Sequence, residues 1–293
     1  MLLQGIGDRL DSLHRPGMDV PLPDLAEVWT PERIALNDAL WGEGFLFPGG
    51  EDEILRFVRP LALASAASLC VLGVGTGGPA RTIAAHLGCW VTGFEADPDL
   101  AALAAERCSC ARLGGRAQVE TWCPSDPIFR VHGFHHGMAL EPFGVARPEP
   151  LLSALAAALR PAGQLMLVDL VADEPLGRAD PVAADWQRLE RRAHAPPSEL
   201  AVTRTLGRLG FDVRRAESIS AEHVRLIVLA WKRCLAALRE RPTAEAAAAL
   251  MTEAERWLLR VRLIQEGKLR LVRWHAFGGR ATSVAVDSGR AAA

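Results

Sequence analysis

Apolar positions along the chain fall into two rhythms that alternate from about residue 59 onward. Strand-length segments predict strands at Ser68–Gly73, Trp90–Glu95, Gln118–Trp122, Phe134–Leu140, Gln164–Asp169, Asp212–Ser218 (opened by Gly210-Phe211) and Leu269–Phe277. Between them, longer segments with helical spacing predict helices at Pro79–Leu87, Pro98–Leu113, Pro150–Leu159, Ala183–His194, Ser198–Leu209, Glu222–Arg239 and Thr243–Gln265. Ser68–Gly73 is continuously apolar, as a strand covered by helices on both faces must be. Strand–helix alternation means parallel strands joined by right-handed crossovers, hence an α/β, doubly wound sheet. Ligands on such sheets bind at the carboxyl ends of the strands, near the topological switch point.

Upstream of the alternation, Thr30-Pro31-Glu32 reads as a helix start: a hydroxyl N-cap, proline at the first helical position and an acid in the first turn. A turn-rich segment, Trp41 to Gly50, separates this helix from a second at about Glu51–Val58. Residues 1–28 read as a loose leader and 29–58 as a helical cap. Residues 59–277 form the core, with a helical insertion at about 222–266, and 278–293 read as a disordered tail. The segment Arg160-Pro161-Ala162-Gly163 reads as a breaker ahead of the strand at Gln164.

The chemistry points to one turn. After the first strand the chain runs Gly73-Val74-Gly75-Thr76-Gly77-Gly78-Pro79, and Glu95 closes the next strand. Glycine adopts cheaply the φ values that a sharp strand-to-helix turn needs, and without Cβ a ligand can lie against the main chain. An acid at Glu95 can accept hydrogen bonds from two ribose hydroxyls. Two cofactors fit this spacing. Gly73, Gly75 and Gly78 satisfy the GxGxxG dinucleotide pattern, whereas Gly73, Gly75 and Gly77 satisfy the GxGxG turn for S-adenosylmethionine.

Neighbouring segments separate the two. Gly77-Gly78-Pro79-Ala80-Arg81 resembles the GGPAR form of the class I S-adenosylmethionine-dependent methyltransferase turn, in the small-molecule branch that includes phosphoethanolamine, sterol and cyclopropane-type enzymes. Arg160-Pro161-Ala162-Gly163 before Gln164-Leu165-Met166-Leu167-Val168-Asp169 resembles the turn before that superfamily's fifth strand, and Gly210-Phe211 resembles the entry to its sixth. Trp41-Gly42-Glu43-Gly44-Phe45 resembles the aromatic–glycine segment that closes over the cofactor. The resemblance runs from about Trp29 to Phe277. It implies a Rossmann-like, seven-stranded, mostly parallel sheet with an antiparallel terminal strand and helices on both faces. It further implies methyl transfer from S-adenosylmethionine to a small molecule. Gly73, Gly75, Gly77 and Gly78 would pass the cofactor's methionine end, and Glu95 with Ala96 would hold the ribose. Trp41 and Gly42 would help close the site, with Trp122 or Cys123 beside adenine. His135, His136 or Glu141 would orient the nucleophile or take its proton.

Three acids usual in that superfamily are replaced: Val71 two positions before Gly73, Trp122-Cys123-Pro124 after the third strand, and Phe134-His135-His136 at the fourth. Their loss motivates a second expectation, a non-catalytic relative acting as cofactor sensor or partner subunit. The overlapping glycine spacing leaves an NAD-dependent oxidoreductase as a third.

Composition narrows the classes further. The 293 residues carry 33 Lys plus Arg against 35 Asp plus Glu, a formal charge of −2, which argues against non-specific nucleic-acid binding. The longest apolar run, Leu61 to Val74, is too short and too interrupted to cross a membrane, and the first 15 residues lack a secretory apolar stretch, so a cytoplasmic location is expected. Six cysteines without a CxxC pair do not read as a disulfide scaffold or a metal site. His132, His135 and His136 are close in sequence, but on a strand only His132 and His136 would share a face, too few ligands for a metal. Trp257, Leu258, Val261 and Ile264 form a helical stripe suited either to covering the sheet or to a homodimer interface.

Overall fold

The computed structural model describes residues 29–176, 180–239 and 241–279. The expected leader, and the expected tail beyond residue 279, lie outside the described residues. Seven strands form one sheet: β1 (Ser68–Leu72), β2 (Trp90–Glu95), β3 (Ala117–Thr121), β4 (Phe134–Leu140), β5 (Leu159–Val171), β6 (Phe211–Ser218) and β7 (Arg270–Gly278). Their order across the sheet is β3-β2-β1-β4-β5-β7-β6. The pairs from β3 through β5 are parallel, and β7 runs antiparallel to both β5 and β6. The last strand in sequence is therefore not at the sheet's edge but threads between β5 and β6. The switch point lies between β1 and β4, where the chain goes on to β2 on one side and to β5 on the other.

The helices are α1 (Pro31–Trp41), α2 (Gly50–Val58), α3 (Gly78–Leu87), α4 (Pro98–Cys110), α5 (Pro148–Ala158), α6 (Pro181–Leu189), α7 (Glu199–Arg208), α8 (Ser220–Ala237) and α9 (Ala244–Gln265). Each strand's alternation feeds two cores. Leu69 and Val71 of β1 enter the core under α1–α3 and the insertion helices, whereas Cys70 and Leu72 enter the one under α5 and α7. Val71, in the place of a family acid, is fully buried among apolar side chains. Trp257 and Val261 of the stripe are buried, Leu258 and Ile264 are half-buried, and α9 packs against α1, α6 and α8.

Local signals explain most boundaries. Thr30 Oγ1 accepts from the Arg33 N–H, Asp97 caps α4, and Asp180, Ser198 and Thr243 cap α6, α7 and α9. Two expectations need correction. The expected helix to His194 ends at Leu189, and Arg191 turns into the left-handed region at φ 49°. The Arg160–Gly163 breaker lies within the bounds of β5: pairing with β4 runs Phe134↔Leu159 and resumes at His136↔Gln164, so the extra residues bulge out and the ladder survives.

Candidate functional site

The crevice at the switch point is built on the glycine turn between β1 and α3. Gly73 and Gly75 have φ of 76° and 56°. A β-carbon at Gly73 would lie 2.4 Å from the Leu140 carbonyl oxygen, so only glycine lets β1 turn this close to the end of β4. The Gly75 N–H donates to Glu95 Oε2 at 2.8 Å, and the Ala96 N–H donates to Oε1 at 2.9 Å. Glu95 thus stands half-buried at the carboxyl end of β2, facing the turn. Burial pushes its carboxyl up to about 7, against the pull of the Gly75, Ala96 and Asp97 N–H groups. Added hydroxyl donors would favour the charged form.

A strap of chain, Gly42–Gly49, lies over this turn. The Gly78 N–H donates to the Gly44 carbonyl at 2.9 Å. Leu46 sits on Gly75, where a β-carbon would come within 2.8 Å of its Cγ. Two ion pairs latch the strap to the core. Asp38, which accepts from the Gly44 N–H, takes both Arg107 Nη atoms at 3.1 and 2.7 Å, and Arg107 also reaches Thr76 Oγ1 at 2.7 Å. Arg81 holds the Glu43 carboxylate at 3.2 Å and its carbonyl at 2.9 Å. Trp41, where the strap begins, is buried edge-on against Trp257 with its Nε1–H on Asn37, and Gly42 turns the chain at φ 100°.

Trp122 and Cys123 follow β3. The Trp122 indole is buried against Phe129, and its backbone N–H donates to the Glu95 carbonyl. Cys123 is exposed, with Sγ 3.1 Å from Ser125 Oγ.

The histidines lie elsewhere. Register pairs His136 with Leu69, four residues before Gly73 on β1, which at about 3.3 Å per residue puts it about 13 Å from the turn, at the amino end of the strands. There His135 Nδ1 accepts from the Ser68 N–H at 3.0 Å, His136 Nδ1 accepts from Gln164 N–H at 3.2 Å, and His132 precedes the strand with φ 49°. His135 and His136 therefore tie strand ends together and do not face the crevice. Of the three expected catalytic residues, Glu141 is the one that follows the carboxyl end of β4.

Glu141 closes β4 in the left-handed region, φ 47°, and its carboxylate is taken by Arg260 of α9 at 2.7 and 2.8 Å. Arg260 also binds Glu190 at 2.7 Å through two nitrogens, and its Nη1 lies 3.4 Å from His223 Nε2 on α8. Burial would discharge Glu190, but Arg260 prevails and holds its carboxyl down to about 2. Next to this hub, fully buried Asp169 of β5 accepts from the Phe143 and Leu170 N–H groups at 2.7 Å each, with Arg192 4.0 Å away. Burial pushes Asp169 up to about 7.

Sequence reasoning did not single out Leu46, Arg107, Asp169, His223 or Arg260. Asp169 in an apolar strand and Arg260 beside the apolar stripe of α9 were visible anomalies; Leu46 and Arg107 carry no local signal.

Among the described residues, no helix is long and apolar enough to cross a membrane. No family model and no curated protein matches the chain. Solved structures do. Phosphoethanolamine N-methyltransferase 2 of Haemonchus contortus with S-adenosyl-L-methionine superposes at TM-score 0.76 and 17% identity over 91% of this chain and 62% of that one. The [4+2]-cyclase SpnF gives TM-score 0.66 and 14% identity over 85% of this chain and 94% of that one. The cyclopropane synthase MmaA2 of Mycobacterium tuberculosis gives 0.59 and 16% over 77% and 83%. The chain spans 57% and 62% of the two phosphoethanolamine methyltransferase chains it matches. With its β7 inserted antiparallel and its glycine turn at the switch point, the chain has the Rossmann-like fold of the small-molecule S-adenosylmethionine-dependent methyltransferases.

Proposed function

We propose that the protein binds S-adenosylmethionine and transfers its methyl group to a small-molecule acceptor. The observation that carries this is the pairing of the Gly75 main chain with the Glu95 carboxylate at the switch point, 2.8 Å apart. The residues present suit the cofactor. With Leu46 drawn aside, the main chain at Gly75 would admit the aminoacyl portion, and Glu95 would offer two acceptor oxygens to ribose hydroxyls. Cys123 and the Trp122 backbone lie at the end of the next strand, on the adenine side, while the Trp122 ring serves the core. When bound, the cofactor supplies a methyl group already activated by positive sulfur. The chain's own work is to align the acceptor and exclude water. The strap from Gly42 supplies the exclusion, with Leu46 drawn aside to admit the ligand. Glu141 keeps its carboxylate on Arg260 and shapes the acceptor side.

A cytoplasmic setting belongs to the same proposal, supported by six cysteines that are all free. A non-catalytic relative is the second reading, favoured by Leu46 seated on Gly75 and by the replaced acids at Val71 and Trp122. Calorimetric titration with S-adenosylmethionine, S-adenosylhomocysteine and NAD tests the proposal. Saturable heat with the two adenosyl compounds and none with NAD is expected. Silence with all three favours the second reading, and heat with NAD alone overturns both.

A further inference from the structure

A groove runs beside α8 and is bordered by the strap at Glu43 and Phe45. Leu226, Leu229, Cys234 and Leu238 of α8 line it, together with Ala85 of α3 and Leu113 beyond α4. Its volume of about 1440 Å³ exceeds the roughly 300–1,000 Å³ of a small-molecule pocket, so it has room for a length of polypeptide. Leu229 and Leu238 are each 41% exposed, and large apolar side chains left open together mark a surface that something covers.

Charge on α8 narrows the occupant. Lys232, Arg233 and Arg239 are exposed, and among the described residues none of them has an ion-pair partner. Arg233 lines the groove. An occupant carrying acids beside apolar side chains suits such a wall. Residues 1–28, which lie outside the described residues, have that composition: five acids against two arginines, with Leu3, Ile6, Leu10 and Leu13 at the three-and-four spacing of a segment that lays one helical face into a groove. Gly5 and Gly7 weaken a free helix, so burial in the groove has to supply its stability.

The chain length allows the return. The described residues start at Trp29, whose ring Arg33 of α1 covers at 4.4 Å. The far end of α1, Asp38 to Trp41, lines the groove, and the 11 residues of α1 measure about 16 Å. Residues 16–28, rich in proline, span up to about 43 Å when extended, more than enough to carry the first 15 residues back. We propose that residues 2–15 dock in this groove within the same molecule, setting Leu3, Ile6, Leu10 and Leu13 against the open leucines of α8 and covering Cys234.

Cysteine reactivity in the full chain tests this. Alkylation by N-ethylmaleimide is followed at each site by mass spectrometry of peptides, in the wild type and in a variant carrying Leu3→Ser, Ile6→Ser, Leu10→Ser and Leu13→Ser. Cys234, half-buried in the groove, should react at least about fivefold faster in the variant, whereas exposed Cys123 and fully buried Cys89 keep their rates. A rise shared by Cys89 reports loss of the fold. The single variants Leu3→Ser and Leu10→Ser then decide, each being expected to raise the Cys234 rate about twofold with Cys89 unmoved. Equal Cys234 rates in the wild type and the variants overturn the proposal. So does wild-type protection that disappears on dilution, because the groove is then covered by a second copy of the chain.

Discussion

Leu46 rests on Gly75 so closely that a β-carbon there would stand 2.8 Å from Leu46 Cγ. The strap and the glycine turn are therefore fitted to each other through a missing side chain. Gly75→Ala meets two separate penalties: roughly 1–2 kcal/mol for an L-residue at φ 56°, and the clash with Leu46. Adding Leu46→Ala should remove the second and leave the first. Urea denaturation of the two single variants and the double variant should show a favourable coupling of about 0.5–1 kcal/mol. Strict additivity would mean that the strap does not sit on the turn in solution.

In the proposed site, Glu95 is the group that holds the cofactor's ribose. Glu95→Gln keeps the shape but loses charged acceptors for ribose hydroxyls, each such bond contributing about 1.5–3 kcal/mol. S-Adenosylhomocysteine should bind about 10- to 100-fold more weakly to the variant, as read by calorimetry. Undiminished affinity would remove Glu95 from the site.

The same carboxyl makes binding depend on pH. Its value of about 7 in the free protein means it is protonated below that pH, and hydroxyl donors prefer the ionised form. Affinity for S-adenosylhomocysteine should therefore rise with pH and level off above about 7, with a drop of about tenfold from pH 8 to pH 6. The profile should flatten in Glu95→Gln.

Stability should run the other way. Asp169 and Glu95 both have folded-state values raised to about 7 by burial, so the native state holds these protons more tightly than the unfolded chain does. Their contribution is complete below the unfolded carboxylate range and is lost as pH rises from about 4 through 7. Tm of the ligand-free protein should fall across that window, and Asp169→Asn should fall less steeply. An equal slope in wild type and variant would contradict the assignment.

Arg260 is a hub whose loss strands two carboxylates. Arg260→Leu would leave Glu141 and Glu190 facing each other without their shared cation, and breaking a buried pair in this way costs about 3–5 kcal/mol. Replacing all three with apolar residues should recover most of that loss, because the desolvation cost disappears with the charges. Denaturant midpoints of the single and triple variants distinguish the outcomes.

What the sequence could state, it stated through short-range devices. Strand-length segments set off by turns and helical stretches placed all seven strands. Proline and hydroxyl caps placed helix starts such as Thr30-Pro31, and the glycines from Gly73 marked the turn from β1 to α3 that Glu95 faces, because turn geometry and strand length are decided within a few residues. Only the tertiary structure could seat β7 between β5 and β6, since edge and interior strands differ little in their own residues. His135 and His136 already stand at the start of the strand predicted over Phe134–Leu140, and the tertiary structure added only their partners, Ser68 on β1 and Gln164 on β5. It also brought Arg260 to Glu141 over a sequence separation of 119, and Arg107 to Asp38 over one of 69. Such pairs are chosen by which surfaces the folded chain brings together, and no periodicity in either segment encodes the partner.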